Sequence, residues 1–382
     1  MKRALVSAFV CALVSLTAAV SAAPAGDAPL RQDVLTLAAR VADWQLAHLD
    51  GEYLTHFKEE SRSPRSWEQG AFWLGLTHLA DASGAPRFRQ AVLDMGRTNQ
   101  WTPGPRLYHA DDQVIGQSYL WAAKHGAGPA AIAPLRAGFD RILASPPRVH
   151  LSFVVANDYE DTECLQRWCW CDALFMAPPA WVELSRHTKD PRYADFALRE
   201  FWATTDFLYD PAERLFFRDS RFFERRDTQG RKQFWSRGNG WVFAGIVNML
   251  DALPSNHAQR ARLQNLFREM AARLESLQKP DGYWPPSLLA PENSPPETSG
   301  TGFYVYGLAW GVRHKLLDRE QYAPAIERGW QALARAVATD GRLGWVQQVS
   351  DRPDAVIETD SQFYGVGAFL MAASAVADLK EH

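Results

Sequence analysis

The chain has 382 residues, of which 47% are hydrophobic and 22% charged, values that suit a globular protein with a large core. Its net charge of −3 at pH 7 argues against nucleic acid or an anionic membrane as a partner. The 15 tryptophans favour sugar binding, because flat rings stack on pyranose faces, although a tryptophan-rich helical core is the alternative.

The amino terminus has the features of a secretory signal. Met1-Lys2-Arg3 precedes an apolar run from Ala4 to Ala19, and small residues follow it. The run is too short for a stable transmembrane span, so we predict a signal peptide over residues 1–22, cut near Ala22 or Ala23. The mature protein is expected to be secreted or periplasmic, with one catalytic domain over residues 30–380.

Three cysteines remain after this cleavage: Cys164, Cys169 and Cys171. In an oxidising compartment one pair could close a small loop and leave one free thiol. Zinc is the rival interpretation, but no histidine lies close by and the spacing fits no common finger. The ten histidines show no paired metal-binding spacing, and no phosphate or dinucleotide motif occurs, so we expect no metal and no cofactor.

Helical periodicity dominates the chain. Leu263, Leu266, Phe267, Met270 and Leu274 recur at the spacing of one helix face, which indicates an amphipathic helix. Segments of this kind are predicted at residues 31–49, 86–97, 129–143, 191–205, 257–278 and 321–337.

Six further segments are apolar on every side and rich in glycine and aromatic residues. They begin near Trp67, Asp112, Asp172, Trp235, Thr298 and Ser361, and each of the last three intervals is 63 residues. Such a period indicates a repeated supersecondary unit, and helices that are apolar all round must be buried. Six buried helices inside six amphipathic ones predict an all-α, double-layered (α/α)6 barrel in a single domain. An open α-solenoid is the alternative.

Carboxylates stand at the heads of these apolar segments. In a barrel the amino ends of the inner helices meet at one mouth, where unpaired N–H groups attract anions. Asp172 follows Trp168 and Trp170, and burial beside indole rings raises the pKa of a carboxylic acid. Asp111 and Asp112 supply a second carboxylate, and sugar chemistry needs such a pair. Helix capping is the alternative role for each of these residues.

The sequence Arg237-Gly238-Asn239-Gly240-Trp241 is a candidate binding motif. Arg and Trp four residues apart share one helix face, and the flanking glycines let a ligand approach the backbone. The guanidinium could pair with a substrate carboxylate while the indole covers a ring. An arginine tied to a neighbouring helix end is the alternative.

Two stretches resemble a known enzyme family: WCDALFMAPP from Trp170 to Pro179 and WSRGNGW from Trp235 to Trp241. They look like the unsaturated glucuronyl and rhamnogalacturonyl hydrolases of glycoside hydrolase families 88 and 105, and the likeness spans essentially the whole mature chain. It implies an (α/α)6 barrel that removes a 4,5-unsaturated uronic acid from the non-reducing end of lyase-generated oligosaccharides.

The resemblance also implies residue roles. The catalytic acid falls on Asp172 and the second pocket carboxylate on Asp112, with Asp111 as the less favoured register. The expected substrate-binding residues are Trp170, Arg237, Trp241, Trp67, Asp111 and Asn239. Many relatives carry a histidine in the loop before the arginine motif, whereas this chain reads LFFRD from Leu215 to Asp219, which leaves the leaving sugar and the linkage open.

The chemistry of the enol ether agrees with this assignment. The double bond needs a proton at C4, which a protonated Asp172 can donate before its carboxylate activates water. The expected partner is an unsaturated uronate-containing oligosaccharide, and the protein is expected to be a monomer or homodimer. The alternatives are an inverting glycosidase acting on saturated acidic oligosaccharides and a non-catalytic periplasmic glycan-binding protein.

Overall fold

The computed structural model describes residues 30–56, 58–155, 159 and 162–380, so the predicted signal peptide lies outside the described residues. Helices account for most of the secondary structure in this part of the chain. The α-helices are α1 (Arg31–Ala47), α2 (Lys58–Arg62), α3 (Trp67–Ser83), α4 (Pro86–Thr98), α5 (Ile115–Ala122), α6 (Ala133–Ala144), α7 (Ala173–Met176), α8 (Pro178–Thr188), α9 (Pro191–Leu208), α10 (Ser236–Ala252), α11 (Arg260–Ser276), α12 (Thr298–Arg313), α13 (Arg319–Arg335) and α14 (Phe363–Leu379).

The inner ring of the barrel closes on itself. It runs through α3, α5, the pair α7 and α8, α10, α12 and α14, and α14 packs against α3. Helices α1, α4, α6, α9, α11 and α13 form the outer layer, and their apolar faces pack inward. This closure confirms the predicted (α/α)6 barrel and excludes the open solenoid.

Two glycines make the closing contact between α14 and α3. A Cβ atom at Gly75 would lie 2.4 Å from the carbonyl oxygen of Gly367, and one at Gly367 would lie 2.3 Å from the carbonyl oxygen of Ala71. Any side chain at either position would push the helices apart. The backbones of the first and last inner helices therefore touch directly.

The predicted segments match the observed helices closely, with one correction. The third inner segment, predicted as a single helix from Asp172, is split into α7 and α8. Pro178 lacks the N–H that a continuous helix would use, so it begins a new helix instead. The structure also contains a short antiparallel hairpin that the sequence analysis did not predict, with strands β1 (Tyr209–Asp210) and β2 (Leu215–Phe216).

All six inner elements run in the same direction. Their carboxyl-terminal halves line two adjoining cavities of about 190 and 500 Å³ at one mouth, and side chains of α3 and α10 border both. The amino ends of the inner helices are therefore gathered at the opposite mouth, which we call the amino mouth. No helix within the described ranges combines the length and apolar character needed to cross a membrane.

Candidate active site

Asp172 stands at the amino mouth, immediately before α7. Its side chain makes no capping hydrogen bond to that helix, so it does not have the common capping role. The residues before it are held firmly, because a disulfide joins Cys164 to Cys169 and the N–H of Cys171 donates to the carbonyl of Arg218 at 2.8 Å. The predicted pairing of two cysteines with one free thiol, that of Cys171, is thus found.

The environment of Asp172 favours its protonated form. Burial raises the pKa of this carboxyl above its ordinary value, and the positive charges of Arg218 and Arg237 oppose the rise. Its Oδ2 lies 3.7 Å from Nε of Arg218 and accepts a hydrogen bond from the thiol of Cys171 at 3.4 Å. A buried carboxyl with a raised pKa can act as a general acid near neutral pH.

The two neighbouring aspartates occupy different environments. The Asp112 carboxylate, 8% exposed, accepts hydrogen bonds from the backbone N–H and the guanidinium of Arg106, with Nη2 at 2.8 Å from Oδ1. The Asp111 carboxyl is 18% exposed and accepts no hydrogen bond from any described residue. Burial raises the Asp111 pKa well above its ordinary value, against the charge of Arg106, and the carboxylates of Asp112, Asp172 and Glu68 raise it further. The geometry therefore favours Asp111 as the pocket carboxyl, reversing the order of preference taken from the sequence.

Glu68 adds a further carboxyl near the mouth, to which no role was assigned from the sequence. It lies in the first turn of α3 and is buried, with Oε1 accepting from the hydroxyl of Ser61 at 3.2 Å and Oε2 lacking a partner. Burial raises the pKa of Glu68 to about 7. Its position at the start of an inner segment was the available sequence signal, but a weak one. A Glu at a helix start is usually exposed and interacts favourably with the helix dipole.

In the motif from Arg237 to Trp241 on α10, the polar side chains make hydrogen bonds mainly to the protein backbone. Both Nη atoms of Arg237 donate to backbone carbonyls, those of Gln347 at 2.8 Å and Gln348 at 2.9 Å. The Asn239 amide accepts from the N–H of Phe216 and donates to its carbonyl, which holds β2 in place. Trp241 is fully buried, so its ring forms the floor below the mouth. Among the described residues, Arg237 can offer a ligand its positive charge and an Nε–H that has no partner. The Asn239 amide instead holds the loop that contains Phe216.

Aromatic rings line the mouth. Trp67 is half-buried and stacked on Tyr364, with ring centroids 5.0 Å apart, so its accessible part can lie against a sugar. Trp170 is buried and contacts the ring of His109 at 5.0 Å. Of the predicted aromatic contacts, Trp67 is therefore the one with an exposed surface.

A cationic Arg218 and a neutral His109 complete the site. Arg218 stands in the loop after β2, and its guanidinium lies beside Asp172. His109 accepts the N–H of Asp111 at Nδ1, and its buried Nε2 has no partner. Burial, together with the charges of Arg106 and Arg218, lowers the pKa of His109 to about 3, so the ring is neutral. Neither His109 nor Arg218 was assigned a role from the sequence.

Buried polar atoms without hydrogen-bond partners are concentrated at the amino mouth. At the opposite mouth, Asp81 accepts from the indole of Trp121 and Asp251 from that of Trp310, each at 2.9 Å. Because buried polar groups are nearly always paired, the unpaired atoms mark the amino mouth as the ligand site. They include Glu68 Oε2, His109 Nε2, Arg218 Nε, Ser236 Oγ, Arg237 Nε, Trp241 Nε1, Ser361 Oγ and Gln362 Oε1. No cluster of three potential metal ligands occurs among the described residues.

Comparisons with known proteins identify the family of the chain. The family model described as Glycosyl Hydrolase Family 88 matches residues 37–380. A curated relative from Alteromonas sp. (strain LOR), named unsaturated 3S-rhamnoglycuronyl hydrolase, is 42% identical over 87% of this chain and 83% of its own length. One of the same name from Formosa agariphila is 38% identical over 84% of this chain and 86% of its own length.

A solved structure supports the same conclusion. It is described as a glycosyl hydrolase of family 88 from Bacteroides vulgatus and is 26% identical, with a TM-score of 0.79 over 92% of this chain and 100% of that one. These findings confirm the family, the fold and the reaction class predicted from the sequence. The chain belongs to glycosyl hydrolase family 88 and is a glycoside hydrolase that removes an unsaturated uronic acid from oligosaccharides.

Proposed function

We propose that the substrate is an unsaturated uronate linked to a 3-sulfated rhamnose. Both curated relatives carry this specificity in their names, and each is matched over most of its length. Such an oligosaccharide is anionic in both sugars. Arg106, whose side chain is 41% exposed beside the pocket carboxyls, supplies positive charge at the rim where the second sugar would lie.

The observation that carries the mechanism is the buried, uncapped carboxyl of Asp172 with its raised pKa. In its protonated form Asp172 donates a proton to C4 of the enol ether, and positive charge develops at C5. The Asp172 carboxylate then takes a proton from water, whose oxygen adds to C5. The resulting hemiketal opens to a ketone at C5, and the hemiacetal at C1 releases the leaving sugar. Asp172 regains its proton, so the step consumes one water and no other reactant.

The neighbouring groups support this reaction in distinct ways. Asp111, which has an unpaired carboxyl, binds a sugar hydroxyl or the attacking water. Trp67 supplies the accessible ring against which the uronate packs. Neutral His109 offers its Nε2–H as a hydrogen-bond donor, since Nδ1 already accepts from the backbone.

The decisive experiment follows the ultraviolet band of the conjugated uronate after purified protein is added to lyase-generated oligosaccharides. The panel contains 3-sulfated rhamnose products of ulvan type, their desulfated forms, rhamnogalacturonan products and glycosaminoglycan products. We expect the fastest loss of the band with the sulfated rhamnose products. Equal rates with and without sulfate would refute the sulfate specificity. Loss of no band, with release of reducing sugar from saturated chains, would favour the saturated-glycan hydrolase instead.

We further propose that the protein is exported, with cleavage near Ala22 or Ala23. The disulfide between Cys164 and Cys169 supports an oxidising compartment. Intact-mass analysis of the protein from the extracellular or periplasmic fraction tests this directly. A mature chain that still begins at Met1 would contradict the proposal.

A further inference from the structure

We propose that Arg218 is a positioning residue that fixes the orientation and the protonation of Asp172, and that Asp219 tunes its charge. This inference rests on the role of Asp172 given above and assigns a new role to the loop after β2. It follows from how the hydrogen-bonding atoms of the guanidinium are used.

The Nε side of the Arg218 guanidinium faces the catalytic carboxyl, while each Nη atom makes a hydrogen bond elsewhere. Nη1 donates to Oδ2 of Asp219 at 2.8 Å, and Nη2 donates to the hydroxyl of Tyr159 at 2.7 Å. Nε is buried, has no hydrogen-bond partner and lies 3.7 Å from Oδ2 of Asp172. A small movement of the carboxyl brings it within hydrogen-bond distance of Nε, which the two occupied Nη atoms hold in place.

The backbone keeps the two residues together. The N–H of Cys171 donates to the carbonyl of Arg218 at 2.8 Å, so the segment that carries the acid is joined to the segment that carries the guanidinium. Two residues earlier, Phe216 is held by both polar atoms of the Asn239 amide. The backbone of Arg218 therefore cannot move away without breaking these hydrogen bonds, and its side chain is held by Asp219 and Tyr159.

Several charged and titratable groups face the Asp172 carboxyl and influence its protonation. Arg218 faces it from the loop and Arg237 from α10, while Asp111 faces it across the mouth and the thiol of Cys171 lies beside it. When Asp172 gives its proton to the substrate, the positive charge of Arg218 is already beside the new carboxylate, which gains an N–H donor after only a small movement.

Asp219 offsets part of the positive charge of Arg218. It is fully buried and accepts hydrogen bonds from both Arg218 and Arg221, and Arg221 also pairs with Asp351 at 2.8 Å. Burial raises the Asp219 pKa, but the hydrogen bonds and charges of the two arginines lower it below its ordinary value, so it is ionised. Neutralising Asp219 therefore exposes Asp172 to more of the charge of Arg218.

Two substitutions should shift the pH dependence in opposite directions. The descending, alkaline limb of kcat/KM reports the pKa of the general acid in the free enzyme. Arg218→Gln removes a positive charge, so the pKa of Asp172 should rise and the limb should move to higher pH. We expect a roughly tenfold loss in kcat, because an acid with a higher pKa donates its proton less readily. Asp219→Asn should move the same limb to lower pH. Arg218→Lys keeps the charge and should leave the limb nearer to that of the wild type than Arg218→Gln does.

Arg221→Lys is the matched control. Arg221 shares Asp219 with Arg218, but no contact links it to Asp172, so its conservative replacement should leave the limb in place. Unfolding of every variant is followed by circular dichroism, so that a fold defect is separated from a shift in pH dependence. A limb that stays fixed in both Arg218→Gln and Asp219→Asn, or moves the same way in both, overturns the proposal.

An infrared titration keeps the test independent of turnover. The protonated-carboxyl band that Asp172→Asn removes from the spectrum is followed with pH in the wild type, Arg218→Lys and Asp219→Asn. We expect the band to disappear at lower pH in Asp219→Asn than in the wild type. Inactivity on every unsaturated substrate would refute the proposed function. An infrared band that is unshifted in Asp219→Asn would refute the roles of Arg218 and Asp219 alone.

Discussion

The contrasting environments of Asp111 and Asp112 predict that neutralising each has a different consequence. The Asp111 carboxyl accepts no hydrogen bond from a described residue, whereas the Asp112 carboxylate is bound by the backbone N–H, Nε and Nη2 of Arg106. Asp111→Asn should therefore impair turnover while leaving the fold intact. Asp112→Asn should weaken the fold while leaving most of the turnover.

The sizes of the two effects follow from these contacts. A hydrogen bond to a charged group contributes about 1.5–3 kcal/mol when buried. The side chain of Arg106 is 41% exposed, and solvent reduces the value of an exposed ion pair to under about 1 kcal/mol. Asp112→Asn should thus cost about 2 kcal/mol, or ~3 °C in melting temperature for a chain of this size. Asp111→Asn should lower kcat by roughly 100-fold, as loss of a positioned catalytic carboxyl does.

The assay pairs two measurements on the same protein samples. Initial rates are taken from the unsaturated-uronate absorbance, and melting temperatures are taken by circular dichroism in the same buffer. Wild type and the double variant complete the set, and because the two carboxyls are neighbours whose charges interact, the double variant measures their coupling. A folded but inactive Asp112→Asn beside an active Asp111→Asn would refute the reasoning from the contacts and restore the other register.

Three further predictions concern the acid, a second buried carboxyl and the disulfide. Asp172→Asn should lower kcat by at least roughly 100-fold, while product binding measured by calorimetry persists. A folded variant with ordinary turnover would exclude Asp172 as the general acid. The Glu68 pKa of about 7 lies above its ordinary 4.5, so the wild type should lose about 3 kcal/mol of stability as the pH rises between these values, and Glu68→Gln should not. Melting curves at pH 5 and pH 8 test this against the exposed Glu59→Gln, and parallel pH dependence in wild type and Glu68→Gln would contradict it. Replacing Cys164 and Cys169 by serine should lower the free energy of unfolding by about 2 kcal/mol, the value for so short a loop, and should slow turnover by displacing Asp172. The reduced wild type should behave in the same way, and an unchanged melting temperature would contradict this role of the disulfide.

Hydrophobic periodicity was sufficient to predict the barrel. Each inner segment is apolar on every side because it is buried on every side, so its composition alone indicated the layer to which it belongs. The break between α7 and α8 was visible as Pro178-Pro179, but the resulting pair still fills one place in the ring, and the segment was taken as a single helix. The β1–β2 hairpin was missed because its strands have two residues each.

The catalytic acid could be predicted, whereas the use of its neighbours could not. Asp172 lies in a specific motif beside tryptophans, and its burial follows from that context. In contrast, Arg237 and Asn239 also lie in a specific motif, yet both hydrogen-bond to residues more than 20 positions away. Such partners depend on the tertiary fold, which a local pattern does not contain. For the same reason the sequence showed only that the loop containing Arg218 lacks a histidine, and not that Arg218 contacts Asp172.

The two mouths of the barrel differ in the energetic role of their polar groups. At the carboxyl-terminal mouth, pairs such as Asp81 with Trp121 satisfy each other and add to stability. At the amino mouth, Oε2 of Glu68 is buried without a partner, which costs the fold about 1–3 kcal/mol. The hydrogen-bonding capacity that the chain leaves unused at this mouth is what a bound uronate can satisfy.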